Sequence, residues 1–157
     1  MSERMPMMGR PSAPHRHRIT CSETTLRSRP KRALILTGDP HAKEALPPLI
    51  IACGFEPVRL SAIGDLRTGG LDSAAVLLLC EESLPDGDFR DALRILNHSA
   101  RKIPVIVFSQ LADWDGYLRA MQAGAFDFLR YPFLSGELQR VLRLVVPGLH
   151  PVTSSLL

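Results

Sequence analysis

At 157 residues, with 45% hydrophobic and 22% charged side chains, the chain is sized for one domain around one core. Its longest apolar run, Ala74 to Cys80, is strand-sized against the roughly 18 residues a membrane span requires. Met1 to Pro30 lacks the continuous apolar stretch of a secretory signal, so a cytoplasmic protein that spans no membrane is expected. The formal net charge of +3 conceals a division: residues 1–32 carry eight Lys/Arg against Glu3 and Glu23, net +6, and the remainder carries 11 basic and 14 acidic residues, net −3.

Residues 1–31 are rich in Pro, Ser and Arg and have no hydrophobic period. They are expected to form a disordered basic arm, either a solvated tail or sequence upstream of a misassigned start. Scattered arginines with no interleaved Tyr, Phe or Trp make a poor nucleic-acid binder. His15 and His17 lack a third ligand for a metal. Cys21, Cys53 and Cys80 show no C-x-x-C spacing, which argues against a disulfide framework or a zinc site; Cys53 and Cys80 read as small buried side chains.

From residue 33 the pattern becomes regular. Ala33 to Thr37 is a short apolar run stopped by Gly38-Asp39-Pro40, the signature of a buried strand entering a turn. Ala42 to Cys53 has helical spacing, with Leu46, Leu49, Ile50 and Cys53 on one face and Gly54 behind it, although Pro47-Pro48 interrupts it. Phe55 to Leu60 predicts a second strand, Ile63 to Leu71 a short second helix loosened by Gly69-Gly70, and Ala74 to Cys80 a third strand, apolar throughout because helices cover both of its faces.

The second half repeats the alternation. Phe89 to Ser99 aligns Phe89, Ala92, Leu93 and Leu96 on a helical stripe, and Pro104 opens a fourth strand over Val105 to Phe108. Asp113 to Ala123 predicts a fourth helix and Ala125 to Leu129 a fifth strand. Ser135-Gly136-Glu137-Leu138 starts a last helix running to about Val145. Strands alternating with helices imply a parallel sheet wrapped on both faces: an α/β, flavodoxin-like (βα)5 three-layer sandwich of strand order 2-1-3-4-5, over residues 32–146, with a tail over 147–157. Ligands in such folds bind beyond the carboxyl ends of the strands. Here those ends are Thr37-Gly38-Asp39, Glu81-Glu82-Ser83, Ser109-Gln110 and Arg130-Tyr131.

Two stretches, Pro104-Val-Ile-Val-Phe-Ser109 and Gly124-Ala-Phe-Asp-Phe-Leu-Arg-Tyr-Pro-Phe133, resemble the last two strands of receiver domains. Receiver domains are the phosphoacceptor modules of bacterial two-component signalling. In them a buried strand ending in Ser or Thr precedes Gly-Ala-x-Asp-Tyr/Phe-Leu-x-Lys-Pro-Phe. The resemblance extends over about residues 33 to 146 and implies a role for each strand end. Thr37-Gly38 stands where the acidic pair is expected, Glu81 at the phosphoacceptor position, Ser109 at the hydroxyl that contacts the phosphoryl group, Phe128 at the aromatic switch and Tyr131 at the Lys. The turn Cys80-Glu-Glu-Ser-Leu-Pro-Asp-Gly87 resembles an atypical receiver group with Glu at the acceptor position.

Phosphoryl transfer to a carboxylate needs Mg²⁺ held by hard oxygens and a cation on the developing charge. Thr37 and Gly38 offer no carboxylate, Asp39 reads as a turn or N-cap residue, and Tyr131 brings one phenol in place of an ammonium. Glu81 has one methylene more than the acceptor Asp. Autophosphorylation is therefore not expected. Glu81 is read either as a permanent charge that imitates a phosphorylated Asp, attracting Ser109 and holding Phe128 inward, or as a solvated strand-end carboxylate. The degenerate pocket consists of Thr37, Gly38, Asp39, Glu81, Ser83, Ser109 and Tyr131, and Tyr131 is expected to close it with its hydroxyl in reach of Glu81, Ser109 or a bridging water.

The expected function is a non-enzymatic protein-interaction module of two-component signalling or a phosphorelay, without cofactor. Its partners would be a histidine kinase, a response regulator or an output protein, and a homodimer would form through the fourth helix, fifth strand and fifth helix. Trp114, Tyr117, Leu118, Met121, Phe126, Leu138 and Leu142 are the candidate surface, some of them core. One alternative is a competent Mg²⁺-dependent phosphoacceptor using Asp39, Glu81 or Glu82. Another is a flavodoxin-like small-ligand binder, for which Thr37-Gly38-Asp39-Pro40 is too short and acidic to cradle phosphate. No output domain is expected after Val146, so the chain reads as a stand-alone adaptor or a fragment of a longer regulator.

Overall fold

The computed structural model describes residues 29–68, 71–134 and 136–146; the expectations for the arm, Cys21, Gly69-Gly70, Ser135 and the tail lie outside these residues. Five parallel strands form one sheet: β1 (Arg32–Leu36), β2 (Glu56–Leu60), β3 (Ala75–Glu81), β6 (Val105–Ser109) and β7 (Asp127–Arg130), in the order β2-β1-β3-β6-β7. This is the flavodoxin-like order expected. Between β3 and β6 lies a small antiparallel pair, β4 (Ser83–Leu84) with β5 (Gly87–Asp88). The helices are α1 (Pro40–Ala52), α2 (Phe89–Asn97), α3 (Trp114–Ala123) and α4 (Glu137–Val145).

Alternation along the strands divides the core. Leu34, Leu36, Leu78, Cys80, Val105 and Val107 point to the face covered by α2 and α3, whereas Ala33, Ile35, Leu77, Leu79, Ile106 and Phe108 point to the face covered by α1 and α4. Leu77, Leu78 and Leu79 are all fully buried, as a central strand demands, and each such side chain contributes about 1.5–3 kcal/mol by leaving water. Cys53 and Cys80 are free and buried; burial pushes both thiols above their ordinary range, so they behave as the small apolar side chains expected. β2 and β7 are the edges, and Pro57 of β2 stands opposite Ala33.

Two elements differ from the sequence reading. The second helix, expected over Ile63 to Leu71, is a single 3-10 turn at Ile63–Leu66 among the described residues, with Ile63 and Leu66 buried and Leu71 half-buried against the core. Its start is tied down by Asp86, whose carboxylate accepts the Ile63 amide at 2.9 Å. Pro47-Pro48, expected to interrupt α1, lies within a continuous 13-residue helix. The two prolines leave the carbonyls of Lys43 and Glu44 without their helical donors. Burial of Ala42, Leu46, Pro47 and Ile50 on one face, and a start at Asp39 with Pro40 in the first turn, hold the helix nonetheless.

Candidate functional site

The carboxyl ends of β1 and β3 lie side by side, with Leu36 opposite Cys80, so the next residues of each strand meet. Glu81 Oε2 accepts two hydrogen bonds there, from the Thr37 hydroxyl at 2.6 Å and from the Gly38 amide at 2.9 Å. Thr37 is fully buried, and its Oγ1 in turn accepts the Asp39 amide at 3.0 Å, so the buried hydroxyl is satisfied in both directions. Gly38 is pressed against the β4–β5 turn: a Cβ on it would stand 2.7 Å from Pro85 Cδ. The Glu81 carboxylate is thus gripped from within the chain by the segment expected to supply an acidic pair.

Asp39 is the N-cap of α1. Its Oδ1 accepts the His41 amide at 3.0 Å and its Oδ2 accepts Gln110 Nε2 at 3.2 Å. Ser83, assigned to the pocket from the sequence, is an exposed residue of β4 paired with Asp88.

Tyr131 packs inward, with 5% of its surface exposed, between Phe108 and Phe133 at ring-centroid distances of 5.7 and 5.4 Å. The expected partner of its hydroxyl is corrected: the phenol lies 3.1 Å from His41 Nδ1, and among the described residues no hydrogen bond joins it to Glu81 or Ser109. The ring belongs to the α1 and α4 side of the sheet, which carries its hydroxyl toward the first turn of α1. Burial, and next the charge of Asp39, raise the phenol above its ordinary pKa. His41 escaped the sequence reading because an exposed His at a helix start carries no pattern; the available signal was that α1 and the segment after β7 share one face of the fold.

Ser109 is buried, and its Oγ accepts the Leu111 amide at 3.1 Å, turning the hydroxyl into the loop before α3. Phe128 is buried beneath the first turn of α3, so close that a Cβ on Gly116 would stand 3.1 Å from its Cζ. Asp113 caps that turn by accepting the Gly116 amide at 2.7 Å, and Arg119 of the same helix reaches Glu82 at 3.4 Å.

The candidate surface divides into core and exposed residues. Leu138 and Leu142 are buried, because the apolar stripe of α4 faces the sheet, and they leave the surface set. Trp114 is 68% exposed and stacks on the half-buried Tyr117 at 5.4 Å and 14°, with Leu118 and Phe126 also exposed and Met121 half-buried.

Mg²⁺ asks for a near-octahedral set of hard oxygen ligands. The strand ends offer the Glu81 carboxylate, whose Oε2 already accepts two hydrogen bonds, a hydroxyl that donates to it, a glycine, an aspartate engaged by His41 and Gln110, and Glu82, whose carboxylate pairs with Arg119. Among the described residues no group of three or more His, Cys, Asp or Glu is gathered. The residues present do not fit the ion.

No family model matches the chain. Its sequence is similar to bacterial regulators. The response regulator protein TodT of Pseudomonas putida is 30% identical over 124 residues, covering 77% of this chain and 55% of the relative. The KDP operon transcriptional regulatory protein KdpE of Escherichia coli is 39% identical over 84 residues, 52% of this chain and 37% of the relative. The C4-dicarboxylate transport transcriptional regulatory protein DctD of Pseudomonas aeruginosa is 28% identical over 107 residues, 68% and 23%. The chain therefore spans between 23% and 55% of the length of these relatives. Among solved structures, a response regulator receiver protein from Pseudoalteromonas atlantica superposes with a TM-score of 0.66 at 20% identity, over 74% of this chain and 98% of the other. One from Pseudomonas putida gives 0.65 at 20%, over 75% and 99%. The fold is that of response regulator receiver domains. The described body of this chain has the receiver-domain fold, and its sequence is similar to that of these regulators over part of their length. Among the described residues no helix is long and apolar enough to cross a membrane.

Proposed function

We propose that this domain is a signalling interaction module of two-component regulation whose strand-end pocket is satisfied from within and accepts no phosphoryl group. The observation that carries the reading is the Glu81 carboxylate, held on Oε2 by the Thr37 hydroxyl and the Gly38 amide. An acceptor carboxylate must attack phosphorus while a metal ion and a cation neutralise the transferring group. Here one oxygen of the carboxylate accepts two hydrogen bonds, the neighbouring segment's one carboxylate, Asp39, caps α1 and accepts Gln110, and the residue at the Lys position is a buried phenol turned to His41.

Glu81 is held toward β1 and makes no hydrogen bond to Ser109 among the described residues. That geometry favours a single conformation set by packing over imitation of a phosphoryl group. Phe128 is wedged under α3 with Gly116 against it, and this packing is the candidate for what fixes the state. The module works as a binder rather than an enzyme, in the cytoplasm and without a cofactor. Its partner is a histidine kinase, another response regulator or an output protein, docking on α3 and β7, where Trp114, Leu118 and Phe126 stand in solvent.

The test is intact-protein mass spectrometry after incubation with acetyl phosphate and Mg²⁺. No phosphoryl adduct is expected on the native chain or on Glu81→Gln. A single adduct that vanishes in Glu81→Gln overturns the reading and restores a competent phosphoacceptor.

A further inference from the structure

Glu82 follows Glu81, and its carboxylate turns to α3 rather than to β1. Its backbone is fixed on both sides: the amide donates to the Phe108 carbonyl of β6 at 2.8 Å, and the carbonyl accepts the Phe89 amide at the start of α2 at 3.2 Å. Its Oε1 accepts Arg119 Nη2 at 3.4 Å. The same oxygen lies over the first turn of α3. A Cβ on the buried Gly116 would stand 3.3 Å from it, 3.0 Å from Asp113 Oδ1 and 3.1 Å from Phe128 Cζ, so three segments close on α3 where it has no side chain.

Apolar burial holds this helix less than its neighbours. The buried residues of α3 are Gly116 and Ala120, whereas α2 buries Phe89, Ala92, Leu93 and Leu96, and α4 buries Leu138, Val141 and Leu142. Polar contacts therefore carry more of its seating. Asp115 stands four residues before Arg119, the spacing of an intrahelical pair, yet among the described residues no ion pair joins them. Arg119 reaches past its own helix to Glu82. With side chains 51% and 22% exposed, that pair is open to screening by salt.

We propose that Glu82 is a positioning residue: through Arg119 and its contact with Gly116 it sets how α3 sits on Phe128, and so how Trp114 and Leu118 are presented to a partner. This deepens the reading above and rests on it, since the docking face is then governed by an ion pair at the end of β3 and not by a phosphoryl group on Glu81. An exposed pair is weak, worth about a two- to fivefold change in the population of seated helix. That strength suits a strap which a partner carboxylate can release by competing for Arg119, and by linkage a released strap alters the partner's affinity by the same factor.

The reporters are the NMR signals of Gly116 and of the Phe128 ring in the isotope-labelled full chain, because the ring lies against Gly116 and each senses the other's position. Sodium chloride is raised from about 0.01 to about 1 M, which shortens the screening length from about 30 to about 3 Å. In the native chain both signals are expected to move with salt. Arg119→Gln should move them along the same line at low salt, by about a two- to fivefold change in population. Glu82→Gln should abolish the salt response, and Glu81→Gln should leave it intact. Signals unmoved by Arg119→Gln, or a salt response of native size in Glu82→Gln, would overturn the proposal. Acetyl phosphate with Mg²⁺ keeps the two readings apart: signals that move with the phosphodonor, and cease to in Glu81→Gln, overturn the closed pocket, while Arg119→Gln and salt still decide the part played by Glu82.

Discussion

Glu81 Oε2 and Thr37 Oγ1 stand 2.6 Å apart, so the charged end of the central strand is satisfied by the end of its neighbour. Thr37→Val keeps the shape and removes the hydroxyl, which leaves both Glu81 and the Asp39 amide short of a partner. The expected loss is about 1–3 kcal/mol, read from urea unfolding, with Thr37→Ser close to native. Equal stability of the Val and Ser variants would show that the hydroxyl contributes nothing.

Gly38 faces Pro85 so closely that no side chain fits without movement. Gly38→Ala is expected to cost about 1–3 kcal/mol through overpacking, and the double variant Gly38→Ala/Pro85→Ala to recover most of it. A double variant as unstable as the sum of the two singles would place the cost elsewhere.

Tyr131→Phe removes one hydrogen bond to an exposed His41 and leaves the ring packing intact. A loss of about 0.5–1.5 kcal/mol follows. Because burial raises the folded phenol above its unfolded pKa, the stabilising effect of the protonated form is complete below about pH 10 and is lost as pH rises through the folded value. Absorbance titration of tyrosinate should show one late-ionising group that disappears in Tyr131→Phe.

Trp114 is the sole tryptophan, and its exposure makes it a reporter. Its emission should be that of a solvated indole, readily quenched by acrylamide. Trp114→Ala should change stability by no more than about 0.5–1.5 kcal/mol, the value of its stacking on Tyr117. A blue-shifted, shielded emission would contradict the exposed face.

At the start of α2, Asp91 accepts the Asp88 amide and pairs with Arg94, which together hold its carboxyl below the usual range. A lowered folded pKa stabilises above the unfolded value and is lost as pH falls through the folded one. The difference in urea midpoint between the native chain and Asp91→Asn should therefore be constant at neutral pH and close below about pH 3.9. A gap that widens in acid would reverse the sign.

The five strands were legible because buried parallel strands are continuous apolar runs, and Ala74 to Cys80 has no other reading at that length. Strand ends follow once the order is known, which is why the sequence alone puts Glu81 and Thr37 in one site. What the pattern does not carry is local geometry. Two-residue strands such as Ser83–Leu84 have no period, and a 3-10 turn anchored by Ile63 and Leu66 has the same spacing as a helix that frays. Pro47-Pro48 reads as a break because propensity omits the burial that overrides it. The direction of a hydroxyl, Tyr131 to His41 rather than to Glu81, depends on which face the ring enters, and no residue spacing encodes that.

The rims of the sheet also govern how copies of the chain meet. β2 carries Pro57 between Glu56 and the exposed Arg59, and β7 is four residues long, running from Asp127 to an exposed Arg130. A proline interrupts the row of amides that an incoming strand would need, and charges at short borders repel further pairing. Crowded copies of this domain are thereby steered away from strand addition and its runaway polymers.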